Sequence, residues 1–357
     1  MPLIIEGGRV PNCWVDRSAL GPATAINSHF RRPLGLSLAL VNNMPDPALE
    51  DTELQFFELL DLASGDVPIY LKLYSLRGVP RTERGERHLN QFYFPIDDLW
   101  NNRFDGVIVT GTEPHQQNLK DEPYWNLLTG LFDWAERNSS STILSCLAAH
   151  ASVLHSHGIP RQPLPDKMFG VFEATTSGNH RLMTHAAGSV RFPHSRWNEV
   201  RENDLVAAGY SVLSRSAEAG VDVFVQRKKE SLFVHFQGHP EYGPETLLKE
   251  YRRDIKRFLR GERETYPIFP HAYFDEGAAE VLNQYRERAL ADRRQEMVDF
   301  FPESVAKTLQ HSWQDSAIGL YKNWLDYMIE KRPSRRSCAL IAQVGPSSSA
   351  FANGEIA

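Results

Sequence analysis

Three residues of this chain have the types and the order that thiol chemistry needs: Cys146, His239 and Glu241. Cys146 stands between a strand-like run, Ser141-Thr142-Ile143-Leu144-Ser145, and an Ala-rich helical run, Leu147-Ala148-Ala149-His150. That is the context of a nucleophile elbow, where a sharp strand-to-helix turn lifts a side chain above a sheet. A thiol at a helix N-terminus is favoured as thiolate by the positive end of the helix dipole. The backbone N–H of Leu147 would then help hold an oxyanion. The flanking glycines of a Gly-x-Cys-x-Gly elbow are absent, with Ser145 and Ala148 small enough to stand in for them. Taken alone, the segment suits an inert cysteine buried at a strand end equally well.

A nucleophilic thiol needs a base within reach and a group that orients the base. Gly238-His239-Pro240-Glu241-Tyr242 directly follows the apolar run Leu232–Phe236, on a loop at a strand end. Catalytic groups collect at such ends in open α/β sheets. His239 and Glu241 are two apart, so in extended chain both side chains fall on one side. The carboxylate can then hold one imidazole nitrogen while the other faces the thiol. An isolated His-x-Glu also reads as a surface pair. His150 and His155 are rival bases, but they would lie along the flank of the helix that follows Cys146.

The elements needed to position these groups are legible around them. Leu34–Val41 is a dense apolar run of the kind buried on both faces of a parallel sheet, with a helix expected over Leu49–Leu62. Further strands are expected at Ile69–Leu76, Asp105–Thr110 and Ser141–Ser145, with helices over Pro123–Asn138 and Leu147–His155. Strands alternating with helices predict an α/β fold with a mostly parallel sheet. Tyr210–Ser216, Val221–Arg227 and Ser231–Gln237 are closely spaced strands suited to hairpin connections. Thr246–Arg260 is a charged amphipathic helix, and the chain is helical from about Glu276 to Glu330, interrupted near Pro302. The organisation expected is an irregular N-terminal arm (1–33), an α/β catalytic domain (34–275), a helical C-terminal region packed on it (276–331) and a disordered tail (332–357).

Composition narrows the partners. The 357 residues are 41% hydrophobic and 24% charged, as expected of a globular protein, and a net charge of −6 leaves no electrostatic footprint for nucleic acid. The densest basic cluster, Lys331 to Arg336, opens a polar tail and reads as solubilising in preference to a nuclear or membrane signal. No apolar run reaches the roughly 20 residues that span a bilayer, and the first residues lack the pattern of a secretory signal. Cys13, Cys146 and Cys338 form neither a disulfide framework nor a zinc cage. A cytoplasmic enzyme without a metal is the expectation.

A series of motifs falls in order along residues 35–330: Asn43-Met44-Pro45, Val109-Thr110-Gly111, Cys146-Leu147-Ala148-Ala149, Gly170-Val171-Phe172-Glu173, Pro193-His194-Ser195-Arg196, Gly238-His239-Pro240-Glu241-Tyr242 and Asn323-Trp324-Leu325-Asp326-Tyr327. Together they resemble the homoserine O-acyltransferases of the homoserine transsuccinylase type, whose fold is that of class I glutamine amidotransferases. The resemblance implies ping-pong acyl transfer from acyl-CoA to L-homoserine in methionine biosynthesis, with acyl-CoA as a co-substrate, no bound cofactor, and a homodimer. It implies Cys146 as nucleophile, His239 as base, Glu241 as its orienting acid, and N–H groups of Leu147 and the Gly111–Thr112 turn as the oxyanion hole. It further implies substrate contacts from Lys167 and Ser195, and a bidentate pairing of Arg253 with the homoserine carboxylate.

The chain departs from the family in three respects. Asp46-Pro47 replaces a lysine-rich step, the chain is about two residues longer before Thr52-Glu53, and the N-terminal arm does not match. At the position that sorts acyl donors it carries His115, neither the small residue linked to succinyl transfer nor the acidic one linked to acetyl transfer. Both donors therefore stay open. Serine stays open as an acceptor, since one methylene is worth only about 1–3 kcal/mol in a pocket. The competing functional classes are a glutamine amidotransferase-like cysteine hydrolase, which would need an ammonia-accepting partner, and a non-catalytic protein that keeps the scaffold.

Overall fold

The computed structural model describes residues 3–7, 35–177, 180–184 and 188–332. In chain order the strands are β1 (Leu3–Ile5), β2 (Leu36–Val41), β3 (Ile69–Tyr74), β4 (Phe104–Val109), β5 (Ser139–Ser145), β6 (Gln162–Thr176), β7 (Ser189–Glu199), β8 (Ser211–Val212), β9 (Ser214–Ser216), β10 (Gly220–Val221), β11 (Val223–Lys228) and β12 (Ser231–Phe236). The helices are α1 (Asp46–Ser64), α2 (Glu83–Phe92), α3 (Ile96–Trp100), α4 (Trp125–Asn138), α5 (Leu147–His157), α6 (Glu202–Ala207), α7 (Thr246–Leu259), α8 (Glu276–Ala291) and α9 (Gln314–Lys331).

The main sheet has the order β1-β3-β2-β4-β5-β12-β11-β8. It is parallel from β1 through β12 and turns antiparallel at the β12–β11 and β11–β8 pairs. Strand periodicity divides each central strand between two cores. On β2, Leu36, Leu38 and Leu40 face a cluster with Phe56 and Phe57 of α1 and Trp324 of α9. Ala39 and Val41 face the other side, where Leu131 and Phe132 of α4 pack with Ala148 of α5. The expected mostly parallel, helix-flanked sheet is what forms. Among the described residues no helix is long and apolar enough to cross a membrane.

Three differences from the sequence reading bear on the site. Leu3–Ile5, expected to be irregular, pairs parallel with β3 at the sheet edge. Residues 162–199, for which no strands were expected, form a long antiparallel β6–β7 pair in a second sheet of order β10-β9-β6-β7. The C-terminal helical stretch resolves into α8, two 3-10 turns on either side of Pro302, and α9. The expected tail, from residue 333 on, lies outside the described residues, as do Cys13 and Cys338. The departure at Asp46-Pro47 has a local reason: it opens α1, with proline in the first turn, where its missing N–H costs nothing.

Candidate active site

Parallel pairing of β5 with β12 sets Ser145 opposite Phe236. The next residue on β5 is Cys146, and its N–H donates to the Phe236 carbonyl at 2.8 Å. The chain then turns so sharply into α5 that Cys146 adopts φ 48° and ψ −107°. A non-glycine residue avoids that region unless its surroundings impose it, and such strain gathers at functional sites. Cys146 is partly exposed and is the free cysteine among the described residues. Leu147 is the first residue of α5, so its N–H has no intrahelical acceptor. A Cβ on Gly111 would come within 3.1 Å of the Leu147 nitrogen, so the turn after β4 packs tightly against the start of α5.

His239 follows β12 by the few residues needed to bring it beside Cys146, and its N–H donates to the Pro193 carbonyl of β7 at 2.8 Å. Its Nδ1 lies 2.8 Å from Glu241 Oε1, which also accepts from the Ser145 hydroxyl at 3.2 Å. The Tyr242 ring stacks on the imidazole at 4.2 Å between centroids. Both His239 and Glu241 are buried. Burial works against an imidazolium here, but the Glu241 carboxylate and a side-chain contact with Cys146 outweigh it and raise His239 well above its usual value. The three groups thus form a thiol–imidazole–carboxylate relay, with the pair Cys146–His239 opening onto a cleft of about 880 Å³.

A second cluster faces the same cleft. Lys167 of β6, Ser195 of β7 and Glu250, Arg253 and Asp254 of α7 converge there. The Lys167 ammonium lies 3.2 Å from Glu250 Oε2 and 3.2 Å from Asp254 Oδ2, over the Phe169 ring at 3.9 Å. Glu250 also accepts from the Ser195 hydroxyl and, at 2.8 Å, from the Tyr242 hydroxyl. Arg253 Nη2 stands 3.6 Å from Glu250 with its side chain about half exposed to the cleft. Burial pushes the Glu250 carboxyl up, yet Lys167 and the Ser195 hydroxyl hold it below its usual range.

A family model of homoserine O-succinyltransferase matches residues 20–335. This chain belongs to the homoserine O-succinyltransferase family. It is 44% identical over 323 residues to a homoserine O-succinyltransferase of Methylorubrum extorquens, covering 90% of this chain and 95% of that one. Those of Rhodopseudomonas palustris and Bradyrhizobium japonicum are each 41% identical, over 87% and 92% of this chain and 95% and 100% of theirs. Among solved structures, a glutamine amidotransferase of Methylobacillus flagellatus aligns with a TM-score of 0.47 at 12% identity, over 85% of this chain and 96% of that one.

Of the residues expected from sequence, Cys146, His239, Glu241, Lys167, Ser195, Arg253, Leu147, Gly111 and Thr112 are brought together around one cleft in this member of the succinyltransferase family. His115 stands apart. It is exposed, its N–H donates to Glu122 Oε1 at 2.6 Å, and among the described residues the cleft is lined from this loop by Thr112, Glu113 and Pro114 instead. The rival bases have other partners. His150 is bound to Gln237 Oε1 at 2.9 Å and pushed down to about 3 by burial, and His155 pairs with Asp133 on the surface at 2.9 Å. Two cleft residues were not found from sequence. Glu250 could have been suspected from the i, i+3, i+4 set Glu250, Arg253, Asp254 on one helix face. Arg161 carries no local signal at all.

Proposed function

We propose that this chain moves an acyl group from an acyl-CoA thioester to the hydroxyl of L-homoserine, by way of a thioester on Cys146, in methionine biosynthesis. The observation that carries this reading is the strained Cys146 turn backed by the His239–Glu241 pair. Cys146 Sγ attacks the thioester carbonyl as a thiolate paired with the His239 imidazolium. The carbonyl oxygen takes the negative charge beside the N–H groups of Leu147 and the Gly111–Thr112 turn. The C–S bond to CoA breaks, and His239 gives its proton to the leaving CoA sulfur. The homoserine hydroxyl then attacks the Cys146 thioester, losing its proton to the same imidazole, and Cys146 leaves as thiolate.

Lys167, Ser195 and Glu250 shape the acceptor end of the cleft, where Arg253 offers its guanidinium fork to the amino-acid carboxylate. Membership of the family supports the acceptor, and the relay supports a covalent route. The test is mass spectrometry of the protein mixed with acyl-CoA alone. The expected result is release of free CoA and one acyl adduct on Cys146, both lost in Cys146→Ala, with O-acylhomoserine formed once homoserine is added. Labelling by a glutamine analogue with no labelling by any acyl-CoA would replace this reading with a glutamine hydrolase.

A further inference from the structure

Arg161 lies between the end of α5 and the start of β6, and its side chain lines the cleft that holds Cys146. It is partly buried. Burial is the main influence on its guanidinium and lowers its basicity, opposed by the charges of Cys146, Tyr124 and Glu122. The other cations around the cleft are engaged. Lys167 has two carboxylates, Arg253 has Glu250 and Asp254, and Arg196 donates to the Asn198 and Ala219 carbonyls. Lys249 pairs with Asp51, Arg257 with Glu113, and Arg263 donates to the Thr265 hydroxyl. Arg161 forms no ion pair and no hydrogen bond among the described residues. The acid whose charge acts on it, Glu122, makes no ion pair with it and gives Oε1 to the N–H groups of His115 and Gln116, each at 2.6 Å.

A partly buried guanidinium with no ion-pair or hydrogen-bond partner is costly unless a ligand supplies one, and its planar fork matches a carboxylate in bidentate fashion. The anion must lie close to Cys146. The phosphates of CoA are separated from its sulfur by the whole pantetheine arm, so they fall away from the reacting carbonyl. The acceptor carboxylate has Arg253. That leaves the acyl group. A succinyl chain carries a carboxylate two methylenes beyond its carbonyl carbon, whereas an acetyl chain ends in a methyl.

We propose that Arg161 is the donor-specificity residue of this cleft, pairing with the distal carboxylate of a succinyl group while that group is transferred to Cys146. The assignment rests on the acyl-CoA reading above and selects the dicarboxylic donor. It also moves the source of selectivity from the loop of His115 to the segment after α5.

The test is the acylation half-reaction without acceptor, followed as CoA release and as adduct mass, with succinyl-CoA against butyryl-CoA. Butyryl has the same four carbons with a methyl in place of the carboxylate. In the wild-type protein kcat/KM for succinyl-CoA should exceed that for butyryl-CoA by about 10- to 100-fold, the range of a charge-assisted hydrogen-bond pair. Arg161→Gln should remove that advantage by lowering the succinyl value, with the butyryl value within about threefold of wild type. Arg161→Met, which keeps the aliphatic stem, is the second variant, and melting curves check that both fold. Equal use of the two donors by the wild type, or an equal loss on both donors in folded variants, overturns the assignment and leaves acyl transfer standing. Failure of every acyl-CoA to label Cys146 overturns the acyl-CoA reading itself, and this assignment with it.

Discussion

At Cys146 the backbone and the side chain point to the same conclusion from independent physics. The φ of 48° is a conformation an inert core cysteine has no reason to hold, and the contact with His239 gives the thiol a proton acceptor. Glu241 is the largest of the influences that make that acceptor basic, with Cys146 beside it, because burial alone would leave the imidazole neutral. In Glu241→Gln the carboxylate charge is gone and burial wins. The expected outcome is a fall in kcat of about 10²- to 10⁴-fold. An NMR titration should find the His239 ring losing its proton at lower pH than in wild type. The stability consequence has a defined sign. Because His239 is raised in the folded protein, the stability it contributes is fully present below its usual value of 6.5 and fades as pH climbs through the elevated one. Glu241→Gln should flatten that part of the Tm-against-pH curve, and an unchanged curve would detach Glu241 from the relay. At this scale much was legible: Cys146 follows a strand-like run into a helix, and His239 and Glu241 follow an apolar strand. Glu250 and Arg161 were not, because an acid on a highly charged helix reads as solvated and an arginine in a loop carries no pattern.

The elements differ in how openly they declare themselves. β2 and β12 are dense apolar runs because both faces of a central parallel strand are buried, and composition exposes them. β5, by contrast, is mostly Ser and Thr and shows itself by its small and β-branched residues around Ile143 and Leu144. β6 hides. Its first half contains Pro163, Pro165, Asp166 and Lys167, several of its residues are exposed, and its register with β7 shifts between Pro163 and Met168. Yet β6 and β7 bring Lys167 and Ser195 to Glu250 on α7, so the end of the cleft proposed for the acceptor depends on elements that sequence periodicity missed. Glu250→Gln keeps an oxygen for the Ser195 and Tyr242 hydroxyls but takes away the charge facing Lys167 and Arg253. The expected result is a rise of about tenfold in KM for the amino-acid acceptor, with acyl-enzyme formation from the donor within about threefold, and a stability loss of about 2 kcal/mol. Steady-state kinetics against each substrate, with thermal melts, check it. A donor defect as large as the acceptor defect would mean that α7 serves the whole cleft and not its acceptor end.

Across the whole molecule, the last helix reaches the strands that carry the chemistry. Trp324 of α9 is fully buried, and its Nε1 donates to the Ser141 hydroxyl of β5 at 2.8 Å. Its ring also lies against Gly106 of β4, where an added Cβ would meet Trp324 Cη2 at 2.8 Å and Met328 Sδ at 2.6 Å. β4 leads into the Gly111–Thr112 turn and β5 into Cys146, so α9 braces the two strands whose ends carry the proposed oxyanion site and nucleophile. Trp324→Ala leaves a cavity there and should cost about 3–5 kcal/mol. Gly106→Ala overpacks the same contact from the other side and should cost about 1–3 kcal/mol. Both substitutions act on one interface, so the double variant should fall short of the sum, because the space opened by the alanine at 324 accepts the methyl at 106. Denaturant melts of the two single variants and the double variant measure the coupling. Full additivity would mean that α9 rests on the sheet without bracing these strands, and a double variant closer to wild type than Trp324→Ala would show the brace acting through this contact.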